Sequence, residues 1–169
     1  MNDAAALLDL EAIKQLKARY CRLLDAKDWT AWRDLFCDDL ISDIVGAGGG
    51  FSTGADDFVA YTRRSIGKRS QSTVHQVHSP EIVLESETTA RGVWALNDVV
   101  LLVPSVTLQG YGHYHETYEK AGGQWRIRSL RLDRLREDII SPLVAILGTR
   151  RVRAAALAIA RRTSDMTSI

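Results

Sequence analysis

From Asp9 the chain sets Ile13, Leu16, Tyr20, Leu23 and Leu24 at helical spacing with Lys14, Lys17 and Arg22 between them, which predicts an amphipathic helix with one apolar stripe. Lys27-Asp28 interrupts the pattern. Trp29, Trp32, Leu35 and Phe36 then predict a second, shorter helix capped by Asp28 or Thr30. Leu40 to Val45 reads as a short strand. The glycines at 46, 48, 49, 50 and 54 read as a flexible loop beside a pocket mouth, because they lack the order and the preceding strand of a dinucleotide-binding motif. Ala55 to Ile66 carries Phe58, Thr62 and Ile66 on one face and predicts a third helix ending near Gly67.

After residue 72 the runs TVHQVHS, EIVLES, TTARGVWALNDVVLLV, TLQGYGHYHETYEK and QWRIRSLRLDRL are β-branched or aromatic and alternate, with hairpin turns at Ser86-Glu87 and Ala121-Gly122-Gly123. Helices first and a strand meander afterwards predict an α+β fold: a cone-shaped, strongly curved, antiparallel-rich sheet closed by three N-terminal helices. One domain is expected over residues 1–140. A basic amphipathic helix or tail is expected over 141–169, where Leu143, Ile146, Leu147, Leu157 and Ile159 alternate with Arg150, Arg151, Arg153, Arg161 and Arg162. Docking on its own domain or on a neighbouring subunit is the favoured reading of that tail over membrane binding.

Composition narrows the partners. The 22 Lys+Arg and 21 Asp+Glu leave a net charge of +1, which calls for neither nucleic acid nor an acidic membrane, so a small molecule is the expected ligand. Cys21 and Cys37 sit in apolar segments without metal or redox spacing and read as thiols of a reducing compartment. The N-terminus has neither a signal peptide nor a membrane span, so a cytoplasmic protein is expected. A bent sheet leaves a convex face that its own helices do not cover, which predicts a homo-oligomer.

The run Arg19-Tyr20 through Leu24-Asp25-Ala26-Lys27-Asp28-Trp29, then Leu35-Phe36 and Asp38-Asp39, resembles the opening of the SnoaL-like, nuclear transport factor 2-like family. Thr73-Val74-His75 is similar to that family's histidine strand, Gly112-His113-Tyr114 and Trp125-Arg126-Ile127 to its closing hairpin, and Leu132 to Arg136 to its end. Within the family the chain is most similar to scytalone dehydratase and the bacterial bile-acid 7α-dehydratases. The resemblance implies a cystatin-like roll, a cofactor-free lyase, a trimer or dimer, and a pocket carrying Tyr20, Asp25, His75 and Asp98. Leu24, Ile44 and Val100 stand where scytalone dehydratase has two tyrosines and a histidine, so scytalone itself is not the expected substrate.

A strand Asp98 among Trp94, Leu96, Val99 and Val100 must find a donor, and His75 is the expected one, Asp98 fixing its tautomer so that the other ring nitrogen acts as base. Tyr20 would polarise an oxyanion, and Asp25 or the returning imidazolium would assist departure of water. Tyr20 and Asp25, five apart on a helix, diverge by roughly 140° and need a curved wall to meet. Trp94 and Tyr114 are expected to contact substrate, and Arg134 to meet an anionic group on it. The expected activity is dehydration of a cyclic, largely apolar hydroxy-ketone without cofactor. The alternatives are an isomerase of the ketosteroid type or a non-catalytic binding module. HYHETYE also has the His-x-His spacing of cupin metal sites, and His75-x-x-His78 adds two possible ligands. The glycine opening that motif is replaced by Thr107 and three helices do not suit a cupin barrel, so no metal is expected.

Overall fold

The computed structural model describes residues 3–141. The expected C-terminal basic helix lies outside the described residues. Helix α1, Asp3–Ala26, buries Ile13, Leu16, Lys17, Tyr20, Leu23 and Leu24 along one stripe. It ends in a left-handed residue, Lys27 at φ 60°. The Lys27 and Asp28 amides close back on the carbonyls of Leu24 and Leu23 at 3.1 and 3.0 Å, which satisfies the last turn. Asp28 then caps α2, Trp29–Arg33, by accepting from the Ala31 amide at 3.1 Å.

Helix α2 stops before Leu35 and Phe36, which were expected to continue it. The Ile127 amide takes the Leu35 carbonyl at 2.9 Å, and strand β1 already runs Phe36–Asp43, earlier than the expected Leu40 to Val45. Pairing with the sheet overrides the helical spacing there. A 3₁₀ turn at Val45–Ala47 and a short strand β2, Phe51–Thr53, lead to α3, Ala55–Ile66, which packs Phe58 and Thr62 inward as expected.

Four long strands follow: β3 Thr73–Leu84, β4 Thr89–Val103, β5 Val106–Ala121 and β6 Gln124–Ile140. The sheet order is β2-β1-β6-β5-β4-β3. All neighbours are antiparallel except β1 and β6. The β5–β6 turn has two residues, Gly122 and Gly123, both at positive φ (59° and 78°), where a Cβ would be strained. Register shifts between His78 and Glu81, Leu101 and Val103, Tyr111 and Gly112, and Thr117 and Tyr118 mark irregularities of the kind that bend a sheet. The resulting curve wraps its concave face around α1 and α3.

Alternation decides what points into that concavity. In β4 the buried positions are Ala90, Gly92, Trp94, Leu96, Asp98 and Val100, and in β5 they include Tyr114, Glu116 and Tyr118. The narrow end is filled by side chains, two of them charged. Lys17 and Glu116, both 0% exposed, form an ion pair. Glu116 also accepts from the Tyr118 hydroxyl at 2.5 Å, and Tyr118 accepts from Trp94 Nε1 at 2.7 Å. The Lys17 ammonium lies 3.7 and 4.0 Å from the ring centres of Tyr114 and Tyr20. Tyr20, Trp32, Phe36 and Phe58 complete an aromatic cluster with centroid separations of 4.9–5.9 Å. No helix among the described residues is long and apolar enough to cross a membrane.

Candidate active site

The wide end of the cone holds a cavity of about 360 Å³. Its apolar walls come from Leu24 of α1, Phe58 and Ile66 of α3, Val100 of β4 and Leu132 of β6, and its polar groups include Tyr20, His75, Asp98, Tyr114 and Arg134.

His75 is gripped by α1. The Asp25 carboxylate accepts the His75 backbone amide at 2.8 Å and the ring Nδ1–H at 2.7 Å. It also accepts the Thr73 hydroxyl at 2.9 Å, which itself accepts from Lys27 Nζ at 2.7 Å. Burial pushes the Asp25 carboxyl upward, but these hydrogen bonds outweigh it and hold the group below its ordinary range, so it stays ionised. An ionised Asp25 on Nδ1 fixes the tautomer in which Nε2 carries a free lone pair, on a ring that borders the cavity and is only 6% exposed. The same burial lowers the Lys27 ammonium, with the Asp25 charge opposing the shift.

Asp98 is not the partner of His75. The two are directly opposed in the β3–β4 register and share the concave face, yet the Asp98 carboxylate is taken by Arg134, whose two Nη atoms donate at 2.9 and 2.7 Å. At 3% exposure Asp98 needs strong donors, and a guanidinium fork supplies two charge-assisted bonds where an imidazole supplies one. Gly110, opposite Asp98 on β5, makes room for the fork: a Cβ there would lie 2.2 Å from Arg134 Nη1 and 2.3 Å from Asp98 Oδ1. Arg134, expected to meet an anionic substrate group, does border the cavity, but each of its terminal nitrogens donates to Asp98.

Tyr20 and Tyr114 both border the cavity, with rings edge-to-face at 5.9 Å. Burial above all drives the Tyr20 hydroxyl well above its ordinary pKa, and it raises that of Tyr114 too, so both remain protonated donors. Trp94, expected to touch substrate, does not border the cavity. It lies four residues from Asp98 toward the narrow end, about 13 Å along an extended strand, where its indole serves Tyr118.

Residues 5–131 match the profile of the SnoaL-like domain family, three quarters of the chain. The chain belongs to the SnoaL-like domain family. Among curated relatives, the Gibberella zeae protein named "Probable cyclase FGR4" is 26% identical over 141 residues, covering 76% of this chain and 93% of its own. Among solved structures, a "Putative Scytalone Dehydratase" of Novosphingobium aromaticivorans superimposes with a TM-score of 0.72 at 24% identity, covering 82% of this chain and 91% of its own. The hexachlorocyclohexane dehydrochlorinase LinA-type3 of Novosphingobium barchaimii gives 0.70 at 17% identity, covering 82% and 94%. These similarities agree with the roll described above.

In this SnoaL-like domain His113 and His115 alternate onto the convex face, where His115 Nε2 sits 3.2 Å from Asp133. His78 is exposed and bonds Ser79 at 3.2 Å, on the face opposite His75. Among the described residues no three His, Cys, Asp or Glu side chains converge as a metal site. Sequence reasoning missed Thr73, Lys27 and Glu137. The first had a legible signal, since Thr73 stands two residues before His75 and so shares its face.

Proposed function

We propose that this protein is a cofactor-independent lyase that removes water from a cyclic, largely apolar hydroxy-ketone, with His75 as its general base and Asp25 as the group that orients it. The observation that carries this reading is the Asp25–His75 pair: a carboxylate on Nδ1, on a ring that borders a cavity with apolar walls and the phenols of Tyr20 and Tyr114. His75 Nε2 takes a proton from the carbon next to the substrate carbonyl while Tyr20, with Tyr114 beside it, donates to the developing oxyanion. As the carbon–carbon double bond forms, the carbon–oxygen bond to the leaving hydroxyl breaks. The imidazolium returns its proton to that hydroxyl, which departs as water and leaves His75 neutral. Asp25, already holding three donors, keeps its charge throughout. The carbonyl itself acidifies the carbon, so the steps draw on no metal.

Membership of the family supports a small-molecule enzyme. The relatives named as a dehydratase and a dehydrochlorinase are named for eliminations, the chemistry proposed here. The test is a panel of cyclic hydroxy-ketones incubated with purified protein, with product mass as the readout. Turnover should fall by about two orders of magnitude or more in His75→Ala and in Asp25→Asn. The double variant should be little worse than either single one, because both disable one proton-transfer unit. Additive small losses would refute the dyad. A product of unchanged mass with its double bond moved, and no loss of water, would make the protein an isomerase.

A further inference from the structure

A lone arginine in a substrate cavity ordinarily anchors a carboxylate or a phosphate. Here it does the reverse. Among the described residues Arg134 is the one Lys or Arg bordering the cavity, and each of its terminal nitrogens already donates to Asp98, at 2.9 and 2.7 Å. Its Nε faces Glu137 at 3.2 Å. Two carboxylates therefore surround one guanidinium and leave that wall with a net negative charge. Asp98, 3% exposed, cannot turn out to water if a substrate anion displaces it, because a buried charge without its partner is strongly disfavoured. The bare backbone at Gly110 shows how closely the strands hold the pair. Lys17 is engaged by Glu116 and Lys27 by Thr73, and neither borders the cavity. The other polar side chains that border the cavity among the described residues are the His75 imidazole, the phenols of Tyr20, Tyr61 and Tyr114, the hydroxyls of Thr62 and Ser65 and the Gln71 amide, none of them a Lys or Arg.

We infer that the cavity accepts neutral ligands and rejects anionic ones, and that Asp98, Arg134 and Glu137 set this selectivity. The inference deepens the lyase reading by naming its substrate class, and it rests on that reading only in taking this cavity as the substrate site. Asp98 is then a specificity residue: it occupies the cation that an acidic ligand would need.

The full-length protein is titrated by calorimetry at pH 7 with 2-naphthol, which is neutral there, and with 2-naphthoate, which carries the same ring and a carboxylate. Wild type should bind 2-naphthol at least about tenfold more tightly. Asp98→Asn releases Arg134 and should bind 2-naphthoate at least about tenfold more tightly than wild type does, a gain that damage to the fold cannot produce. Glu137→Gln should shift the same ratio in the same direction by less, and together with the wild-type ratio it decides the matter if Asp98→Asn does not fold. Wild type binding 2-naphthoate as well as 2-naphthol, or binding neither at millimolar concentration, would overturn the proposal. So would a folded Asp98→Asn without the gain. Failure of the lyase reading would look different, as undiminished turnover in His75→Ala with the ligand ratio unchanged.

Discussion

Replacing Lys17 by Met tests the least ordinary part of the interior. The ammonium and the Glu116 carboxylate are both 0% exposed and each is the other's charge partner. Glu116 keeps one further donor, the Tyr118 hydroxyl at 2.5 Å, and Lys17 also lies over the rings of Tyr20 and Tyr114. Lys17→Met preserves most of the side-chain volume but leaves a carboxylate uncompensated among aromatic groups. Breaking one half of such a pair costs about 3–5 kcal/mol. For a chain of this size each kcal/mol lowers Tm by about 2–4 °C, so the expected loss is roughly 6–20 °C. Glu116→Gln added to Lys17→Met removes the orphaned charge and keeps an acceptor for Tyr118, so the double variant should recover a large part of the loss. Urea and thermal unfolding followed by circular dichroism read both quantities. A single-variant cost below about 1 kcal/mol would show that the pair is not energetically coupled. A double variant no better than the sum of its parts would show the same.

Three further outcomes follow. Asp25 has its folded-state pKa held low, so its contribution to stability is present above the ordinary aspartate range and is lost as pH falls through the folded value. Wild type should thus lose more stability than Asp25→Asn between about pH 5 and pH 3, and parallel curves in urea titrations would contradict the bonding described. Burial pushes the Cys21 thiol up to about 11, so iodoacetamide at about pH 8 should leave it unmodified in the native protein and label it after unfolding, by intact mass. Rapid native labelling at Cys21 would count against the packing of α1. Leu102, Val103, Ile139 and Ile140 are all exposed at one end of β4 and β6, and light scattering at micromolar concentration should report a dimer or trimer, with a monomer refuting that expectation.

The fold was largely legible because the two periodicities scarcely overlap: helical spacing runs to Ile66 and period-two alternation begins at Thr73. The exceptions were strand β2, Phe51–Thr53, inside the expected glycine loop, and Leu35-Phe36, whose apolar character fits either spacing and whose fate is decided by an Ile127 amide far along the chain. The site was legible as a set of residues and not as a set of bonds. Tyr20, His75, Asp98, Tyr114 and Arg134 do border one cavity, and Asp25 lies behind His75. Which carboxylate meets which base depends on where a helix end falls beside an edge strand, and on a β5–β6 register shifted between Tyr111 and Gly112. Neither is written in local spacing. Trp94 was misplaced for a related reason: alternation gave its face correctly but not its depth along the cone.

The one parallel pairing among the described residues, of β1 with β6, joins residues roughly ninety positions apart, whereas β3 to β6 form by successive hairpins between sequence neighbours. Local contacts close at less entropic cost than distant ones, so the meander can assemble while the N-terminal third of the chain is still searching. His75 belongs to the meander and Asp25 to that late-arriving third, fifty residues away. In that order of assembly the imidazole would sit on an early-forming element and acquire its Asp25 carboxylate only when α1 docks. On the function proposed above, a chain caught before that step would have a sheet without an oriented base, and its activity would report topological completion rather than secondary structure.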